Sequence, residues 1–373
     1  MSNKILKIKY KTRDVGTLLY SNNLVSFQYD NQWISNGFSI SPLSLPLTNK
    51  IFTPSFQPFE GMFGIFNDSL PDGWGRLIVD RMLRKKSINP NKINPLYRLS
   101  IVGNSSMGAL EYIPNEKISQ EIFYDLNLDI IKNQCDLLLN NQEINNLDYL
   151  FNNGASSGGT RPKIFKKIYK NIYNEDWIIK FPSSYDSSDI GIQEYNYSIC
   201  ARKCGIEVPE IKLFDSNQCS GYFGIKRFDR TNKEKIHMAS VSALLETSHT
   251  LPNLDYSDLL KLTFLLTKDV SQVKGMFTLM CFNVYSHNRD DHSKNFTFLY
   301  DKKWKLAPAY DLTYSNSING EHATTIAGSA LYPTKIHLLK VGKDFGLTPS
   351  FCKEKIDQIE DLVKTDLTKY LIK

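Results

Sequence analysis

The stretch His287-Asn-Arg-Asp-Asp-His-Ser-Lys-Asn295 decides how this chain is interpreted, together with Asp311, sixteen residues further on in the sequence Ala-Pro-Ala-Tyr-Asp. Asp290 and Asn295 are separated by four residues. Phosphoryl transfer needs a carboxylate that accepts the proton of the attacking hydroxyl, and an amide and a second carboxylate that hold Mg²⁺ on the nucleotide phosphates. Protein kinases carry the first two groups on one loop at this spacing and the third after a strand pair. The pattern therefore predicts a phosphotransfer site.

The residues after Asn295 favour this site over a simpler alternative, in which a polar loop carries Asp, His and Asn only because they form turns. Phe296-Thr-Phe-Leu-Tyr alternates like a strand, Asp301-Lys-Lys is a turn, and Trp304-Lys-Leu-Ala is a second short strand. A β-hairpin at this position would return Asp311 to Asn295, where one metal ion could touch both.

The composition is that of an ordinary packed protein. The chain has 373 residues, enough for two or three domains, and 41% of them are hydrophobic. No run approaches the ~20 apolar residues of a membrane span, and the first residues alternate like the first β-strand of a cytoplasmic protein. The net charge of +6 is modest and the lysines are scattered, which disfavours a primary nucleic-acid binder. The cysteines, Cys200 and Cys204 among them, lack paired Cys-x-x-Cys spacing, which favours buried thiols over a metal site.

Four regions differ in pattern along the chain. Residues 1–115 carry short alternating runs separated by Asn, Asp, Gly and Pro, typical of a β-rich module with one helix after Asp72. Residues 116–150 indicate helices with a polar linker. Residues 151–235 combine a glycine-rich loop with strands, and residues 236–373 are mostly helical in pattern. We expect an α+β, protein-kinase-like, two-lobed fold, with a β-rich N-terminal module, a nucleotide-binding region and a mostly α-helical C-terminal lobe.

A glycine- and serine-rich loop, Gly154-Ala-Ser-Ser-Gly-Gly-Thr-Arg-Pro-Lys163, opens the third region. It leads into a strand, a turn predicted over residues 170–176, and a second strand that ends with Lys180. In a kinase amino-terminal lobe, the glycines let backbone N–H groups approach the phosphates, and the lysine neutralises their charge. The loop alone is also compatible with a flexible linker, but its position before Lys180 and Asp290 favours phosphate binding.

An amphipathic helix follows, and Glu194 near its start has two interpretations. The carboxylate could pair with Lys180, as the helix glutamate does in protein kinases. Alternatively, Glu194 is an exposed residue near a helix N-terminus, where negative charge is favourable. The sequence does not choose between them.

Several segments, almost from end to end of the chain, together resemble the HipA family of bacterial serine/threonine kinases, the toxin component of type II toxin–antitoxin systems. They occur in the family's order, which makes the resemblance specific. The segments are Leu70-Pro-Asp-Gly-Trp-Gly-Arg76, Val102-Gly-Asn-Ser-Ser-Met-Gly-Ala-Leu110, Gly158-Gly-Thr-Arg-Pro-Lys163, Ile225-Lys-Arg-Phe-Asp-Arg230, Asp291-His-Ser-Lys-Asn295 and Leu306-Ala-Pro-Ala-Tyr-Asp311.

The resemblance assigns roles to the residues of the phosphotransfer site. Asp290 is expected to be the catalytic base, and Asn295 and Asp311 are expected to coordinate Mg²⁺. Lys180 is expected to contact the phosphates of ATP. His292 sits where the family has a loop histidine near the nucleotide, although structural hydrogen bonds would also account for a histidine there.

The resemblance also implies a hinge and a regulated loop. Lys226 and Phe228 fall where the family's hinge holds adenine through backbone atoms, and Lys226 stands where relatives often have an acidic residue. In the family, a serine of the glycine-rich loop autophosphorylates, and the phosphate flips the loop out of the nucleotide site. Counting back from the lysine that ends the loop motif places this role on Ser156, with Ser157 as the alternative. Ser157 and Gly158 are also expected to line the nucleotide.

The function implied is that of an ATP- and Mg²⁺-dependent protein serine/threonine kinase acting as a toxin. Family members that are understood phosphorylate aminoacyl-tRNA synthetases and so arrest translation, and we expect a target of this kind. A small helix-turn-helix antitoxin of the HipB type is expected to neutralise the chain and to bring the complex to operator DNA; no membrane partner is expected. The segment from Ile236 to Glu246 departs from the best-known member, so the identity of the target does not transfer.

Two other functions remain open. The chain could be a nucleotide-binding regulatory subunit without catalysis, which holds an antitoxin on DNA. It could also be a small-molecule kinase, because such enzymes share the Asp-to-Asn spacing. The intact acidic and amide positions argue against the first, and the β-rich N-terminal module, which a small-molecule kinase does not need, argues against the second.

Overall fold

The computed structural model describes residues 4–120, 125–170, 173–231, 234–317 and 319–371. Within them the strands are β1 (Ile5–Tyr10), β2 (Arg13–Ser21), β3 (Leu24–Tyr29), β4 (Ile51–Phe52), β5 (Leu110–Ile113), β6 (Lys163–Lys170), β7 (Tyr173–Lys180), β8 (Ile211–Phe214), β9 (Tyr222–Lys226), β10 (His237–Ser240), β11 (Leu254–Asp255), β12 (Thr297–Asp301), β13 (Lys303–Leu306) and β14 (Thr324–Thr325).

The helices within the same residues are α1 (Asn31–Asn36), α2 (Gly64–Asn67), α3 (Gly73–Lys85), α4 (Pro95–Val102), α5 (Leu128–Leu139), α6 (Leu147–Gly154), α7 (Ile190–Lys203), α8 (Val241–Leu244), α9 (Tyr256–Thr267), α10 (Val270–Tyr285), α11 (Lys335–Phe345) and α12 (Pro349–Leu371). Short 3₁₀ turns cover Pro90–Lys92 and Ser293–Asn295. In the part of the chain that is described, no helix has the length and apolarity needed to cross a membrane.

The chain divides into two compact units. The first unit comprises Met1–Asp189, Phe214–Ala239 and Ala243–Thr247. The second unit comprises Ile190–Leu213, Ser240–Ser242 and Ser248–Lys373.

The first unit begins with a five-stranded antiparallel sheet in the order β4-β3-β2-β1-β5. Its faces follow from alternation along the strands, because successive side chains of a strand point to opposite sides. Leu6 and Ile8 of β1 are fully buried, whereas Lys7 between them is exposed. The predicted β-rich N-terminal module is confirmed.

Strands β6, β7 and β9 pair in that order in the first unit, and both pairs are antiparallel. Ile164 of β6 and Ile179 of β7 are buried in one apolar cluster with Trp74 and Ile78 of α3. Burial of an apolar side chain of this size contributes roughly 1.5–3 kcal/mol. This cluster therefore fixes α3 against the sheet, and with it the loop that precedes β6.

One local prediction in this sheet is wrong. The turn expected over residues 170–176 is too long, because β7 already begins at Tyr173. Pairing continues through the register partners Lys167 with Asp176 and Ile168 with Glu175. Glu175 and Asp176, which were expected in the turn, instead belong to β7 and pair across to β6.

The second unit is mostly helical, as predicted. Helix α10 is buried along most of its length, from Met276 to Val284, and ends at Tyr285. Helix α9 begins with a capping box between Asp255 and Asp258, in which two otherwise unsatisfied backbone N–H groups are bonded. Strands β12 and β13 form an antiparallel hairpin, which confirms the hairpin predicted after Asn295.

Candidate phosphotransfer site

The Asp290 loop (residues 286–295) follows α10 and separates one exposed carboxylate from buried neighbours. Ser286, Asn288 and Asp291 are at least 97% buried, whereas the Asp290 side chain is 61% exposed. The loop that follows this buried helix therefore contains one strongly exposed acidic group, the Asp290 carboxylate. This is the position that a base needs if it is to meet a hydroxyl from outside.

Asn295 is oriented by the same loop. Its Nδ2 donates to the backbone oxygen of Asp290 at 2.7 Å, and its backbone N–H donates to the carbonyl of His292 at 2.8 Å. The Nδ2 end of the amide is thus committed to the loop. The carbonyl oxygen Oδ1 is the end that remains to accept a donor or to coordinate a cation.

The hairpin returns the Asp311 segment to this loop. The hydroxyl of Tyr310 donates to the backbone oxygen of Lys294 at 2.6 Å, so the neighbours of Asp311 and Asn295 are directly bonded. Asn288 Nδ2 lies 3.5 Å from the backbone oxygen of Asp311, at the limit of a hydrogen bond. Asp311 itself has a φ of 53°, a left-handed conformation that is uncommon outside glycine and is often found at functional sites.

The oxygen ligands of this loop fit Mg²⁺ bound together with a nucleotide. An amide oxygen and a carboxylate are ligands that Mg²⁺ accepts, and Mg²⁺ at nucleotide sites is typically held by one or two carboxylates plus phosphate oxygens. No cluster of three or more His, Cys, Asp or Glu residues suited to a metal occurs among the described residues. The Asn295 amide and the Asp311 carboxylate are of the ligand type that such a metal accepts, and Mg²⁺ coordination by them stays a prediction.

His292 lies beside the predicted base. Its Nε2 is 3.9 Å from Asp290 Oδ1, and its ring centroid is 5.4 Å from that of His249. Its Nδ1 is buried and has no hydrogen-bond partner among the described residues. The structure places His292 next to Asp290, and its role near a nucleotide stays a prediction.

In the first unit, the Gly/Ser loop (residues 154–160) is fixed by the segment around Asp72. The N–H of Gly159 donates to Asp72 Oδ1, and the N–H of Trp74 donates back to the oxygen of Gly159 at 2.9 Å. Ser156 Oγ donates to Ser105 Oγ at 2.9 Å. The loop is thus ordered against the N-terminal module, and the simple flexible-linker alternative does not describe it.

Both candidate phosphorylation sites are buried in this arrangement. Ser156 is 9% exposed and Ser157 is 1% exposed. Ser157 Oγ donates to the backbone oxygen of Gly154 at 2.6 Å, whereas Ser156 Oγ donates to the hydroxyl of Ser105. Either serine must leave its partner before it can accept a phosphate.

Lys180 ends β7 directly opposite Lys163 of β6. In an antiparallel pair, directly opposite side chains share one face, so two ammonium groups lie on one face of the sheet beside the Gly/Ser loop. Lys163 Nζ donates to the oxygen of Gly158 at 2.6 Å, and Lys180 Nζ is 5.7 Å from the centre of the Phe223 ring. The sequence interpretation missed Lys163 as a functional candidate, because the turn predicted over residues 170–176 did not give the register that pairs it with Lys180.

The hinge candidates lie at the end of β9. Lys226 Nζ bonds to Oε1 of the buried Glu175 at 2.6 Å, so the basic residue at this place is balanced by an acidic one on the neighbouring strand. Phe228 follows and is partly buried. Their predicted contact with adenine is through backbone atoms and stays a prediction.

Glu194 is buried in the second unit, with 3% of its surface exposed. The interpretation of this residue as an exposed glutamate is therefore wrong, because α7 packs this position inward. Its predicted ion pair with Lys180 stays a prediction.

Two of the segments on which the family resemblance rests, those around Gly108 and Asp229, stabilise the fold. Asp229 is fully buried and accepts hydrogen bonds from Arg227 Nε at 2.9 Å, Arg230 Nη1 at 2.7 Å and the N–H of Gly108 at 2.7 Å. Burial by itself would raise the pKa of Asp229, but the two guanidinium groups lower it overall. The segments around Gly108 and Asp229 are thus joined by one buried ionic cluster.

Comparison with known proteins agrees with this architecture. The family model described as the HipA-like C-terminal domain matches residues 155–366, and the model of the HipA N-terminal domain matches residues 6–113. A chain from the Shewanella oneidensis MR-1 complex of HipA, HipB and operator DNA superposes with a TM-score of 0.72 at 16% identity, over 98% of this chain and 91% of that chain. That likeness shows a shared fold.

Two further likenesses are weaker. The protein Y4dM of Sinorhizobium fredii (strain NBRC 101917 / NGR234), whose name gives kinase as a proposed role, is 28% identical over 151 residues, which are 36% of this chain and 36% of that relative. The Helicobacter pylori proinflammatory kinase CtkA superposes with a TM-score of 0.35 at 15% identity, over 56% of this chain and 91% of that chain, too low to bear on the fold. The C-terminal family model alone spans more than half of the sequence, and this chain therefore belongs to the HipA family.

Proposed function

We propose that this protein is an ATP- and Mg²⁺-dependent protein serine/threonine kinase of the HipA type. The observation that carries the proposal is the arrangement of the Asp290 loop, in which an exposed carboxylate, an oriented amide and the returning Asp311 segment come together in one unit. This is the residue set that phosphoryl transfer to a hydroxyl requires. No observation specifically favours a non-catalytic subunit or a small-molecule kinase.

In this proposal Asp290 accepts the proton of the substrate hydroxyl. Its exposure allows a side chain of another protein to reach it, and its backbone is tied to Asn295. His292 lies next to the carboxylate and would help to define its surroundings. A positioned base of this kind contributes ~10²–10⁴-fold to a rate.

Several residues are assigned to the nucleotide. Backbone N–H groups of the Gly/Ser loop and the side chain of Lys180 are assigned to the phosphates, with Lys163 as a second cation on the same face. The backbone at Lys226 and Phe228 is assigned to adenine. Asn295 Oδ1 and the Asp311 carboxylate would hold Mg²⁺, which when bound offsets negative charge on the phosphates.

Regulation would act through the Gly/Ser loop. We assign autophosphorylation to Ser156, with Ser157 as the alternative. Ser156 is the more exposed of the two, and its Oγ donates to the hydroxyl of Ser105. A phosphate, with a charge of about −2, does not fit the space of that hydrogen bond, so modification would expel the loop.

The partners follow from the family. The solved relative from Shewanella oneidensis is a complex of HipA with HipB and operator DNA, and we propose a HipB-like helix-turn-helix antitoxin for this chain, with DNA contacted through the antitoxin. We propose a protein substrate in the cytoplasm, an aminoacyl-tRNA synthetase, whose phosphorylation would arrest translation. Purified synthetases incubated singly with the protein and Mg-ATP would identify which of them gains phosphate.

Intact mass after incubation of phosphatase-treated protein with Mg-ATP tests the core of the proposal. The wild type should gain about 80 Da, one phosphate, localised to Ser156 by peptide mapping. Asp290→Asn should gain nothing, and Ser156→Ala should lose the modification at that site. An unchanged wild-type mass, in a sample shown to bind ATP, would contradict the kinase and favour a regulatory nucleotide-binding subunit.

A further inference from the structure

Asp291, next to the exposed Asp290, is a fully buried carboxylate with several donors. Its Oδ2 accepts hydrogen bonds from the hydroxyl of Tyr256 at 2.8 Å and from Nδ1 of His322 at 2.9 Å. All three side chains are at most 2% exposed. A buried carboxylate is costly unless such donors surround it, so this position is built rather than incidental.

A short strap (residues 322–324) completes the contacts and reaches both neighbours of Asp290. The N–H of Thr324 donates to Asp291 Oδ1 at 3.2 Å, and its hydroxyl donates to the backbone oxygen of Asp291 at 2.6 Å. The N–H of Ala323 donates to the backbone oxygen of Arg289 at 3.1 Å. The backbone is therefore bonded to the strap on both sides of Asp290, while the Asp290 side chain itself points to solvent.

A second branch leads from Tyr256 toward Asp311. The Tyr256 hydroxyl, which donates to Asp291, accepts from Asn283 Nδ2 at 2.9 Å, and Asn283 Oδ1 accepts from Asn288 Nδ2 at 3.0 Å. Burial and the negative charge of Asp291 raise the pKa of Tyr256 well above its ordinary value, so the hydroxyl keeps the proton that it donates. One buried polar network thus runs beneath the whole Asp290 loop.

We propose that Tyr256, His322 and Thr324 are positioning residues, which clamp Asp291 and thereby aim the Asp290 carboxylate at the reacting hydroxyl. The clamp itself is independent of any activity, but its catalytic consequence rests on the proposed kinase function. None of the three residues touches the reacting atoms in this proposal. They act by restricting where the base can be.

Positioning has a measurable signature that a loss of folding lacks. Displacing a catalytic group by about 1 Å can cost ~10²-fold in rate, with a smaller change in nucleotide binding, because the residues assigned to the phosphates and to adenine, Lys180, Lys226 and Phe228, lie outside the Asp290 loop. The kcat for Ser156 phosphorylation should therefore fall while KM for ATP stays nearly constant. The effect should also vanish when the base is already absent.

The matched substitutions are Thr324→Val, which keeps the shape and removes the hydroxyl, and Thr324→Ser, which keeps the hydroxyl. Thr324→Val and Tyr256→Phe should lower kcat about 10-fold or more, and Thr324→Ser should restore most of the rate. Tyr370→Phe is the control, because it removes a comparable hydrogen bond, from Asn196 Nδ2 at 2.7 Å, in the same unit. The control should leave kcat unchanged.

A double-mutant cycle with Asp290→Asn then separates positioning from folding. If the clamp acts through the base, Thr324→Val should cost little more in the residual rate of the Asp290→Asn protein. An equal, additive loss with and without Asp290 would overturn the proposal. So would a loss of kcat no larger than the loss of folded protein, measured as ATP-binding stoichiometry.

Hydrogen–deuterium exchange distinguishes failure of this inference from failure of the proposed function. Amides of residues 286–295 should exchange faster in Thr324→Val than in Thr324→Ser or Tyr370→Phe, whether or not the wild type transfers phosphate. Unchanged exchange in Thr324→Val would overturn the clamp. Faster exchange in a protein with no kinase activity would uphold the clamp and reject the kinase.

Discussion

The Gly/Ser loop of the first unit is held through its backbone, whereas the Asp290 loop of the second unit is held through a buried side chain. In the former, the N–H of Gly159 donates to the Asp72 carboxylate and its oxygen accepts from the N–H of Trp74, and glycines allow the two stretches to approach. In the latter, the buried Asp291 gathers three donor residues. The hydrogen bond from Gly159 to Asp72 is exposed, whereas those from Tyr256 and His322 to Asp291 are buried.

The way in which each loop is held matches the role proposed for it, regulation for the Gly/Ser loop and catalysis for the Asp290 loop. A loop that is modified and expelled needs partners that it can leave at low cost, and Ser105 offers only a hydroxyl. A base needs a fixed position, and a buried carboxylate holds its donors in place because losing one of them while it stays buried is costly. Mutations should therefore loosen the first loop without abolishing activity, and should disable the second without unfolding it.

The largest expected effect is at Asp290. Asp290→Ala should lower phosphorylation ~10²–10⁴-fold and leave the melting temperature nearly unchanged, because the side chain is 61% exposed. Rate measurements with radiolabelled ATP and thermal melts check both parts. Turnover at the wild-type rate would remove Asp290 from the role of base.

The same substitution, Gly→Ala, should change the free energy of unfolding in opposite directions at Gly75 in the first unit and at Gly275 in the second. A Cβ at Gly75 would lie 2.5 Å from the backbone oxygen of Ala155 and 2.7 Å from that of Ser157, so Gly75→Ala should destabilise the protein by roughly 1–3 kcal/mol and push the Gly/Ser loop away. At Gly275 in α10 the nearest atom is Leu306 Cδ2 at 3.8 Å. Gly275→Ala should stabilise by about 0.5–1 kcal/mol. Urea denaturation measures the free energy of unfolding of both variants. A change of the same sign in the two would contradict this account of their packing.

Each unit also contains a histidine whose pKa is lowered, and the two should respond differently to acid. Burial lowers the pKa of His237 from 6.5 to about 4. Because the unfolded chain then binds the proton more readily, stability present above pH 6.5 is lost as the pH falls toward 4. His287 in the Asp290 loop is shifted in the same direction, by burial and then by the charges of Arg289 and His322.

The measurement is the free energy of unfolding at about pH 7 and about pH 5, where the wild type should lose roughly 2 kcal/mol more than His237→Gln. His287→Asn is the companion variant, because asparagine tolerates the left-handed φ of 53° at this position. It should remove a smaller part of the pH dependence. A larger effect for His287→Asn than for His237→Gln would reverse the order that burial predicts.

The smallest expected effect is at Asp72. Asp72→Ala removes the acceptor for Gly159, a bond worth about 1 kcal/mol, and should raise the rate of Ser156 phosphorylation about fivefold by freeing the loop. Helix α3 should be spared, because Asp72 makes no side-chain capping bond to it. Asp72→Asn keeps an acceptor oxygen and should behave like the wild type. A slower rate in Asp72→Ala would show that the hydrogen bond from Gly159 to Asp72 supports catalysis more than it restrains modification.

The sequence predicted much of the fold because the signals were local. The alternation of apolar and polar residues predicted the N-terminal sheet, and helical periodicity predicted the helices of the second unit. Two short strands around a turn predicted the hairpin after Asn295. The turn over residues 170–176 was predicted too long, since charged residues in β7 obscured a strand that is completed by its neighbours. The roles of Asp290, Asn295 and Asp311 stay predictions from spacing and resemblance, now with a geometry that can be tested.

By itself, then, the sequence determined which short elements form and which residues share a loop, because those depend on interactions within a few positions of one another. Only the tertiary structure decided that Asp291 is clamped by Tyr256 and His322, 35 and 31 residues away, or that Gly159 bonds to Asp72, 87 residues away. Many polar residues along the chain were equally suitable as partners. Packing selects among them, because a buried polar group must find its donors in the few residues that the fold brings next to it.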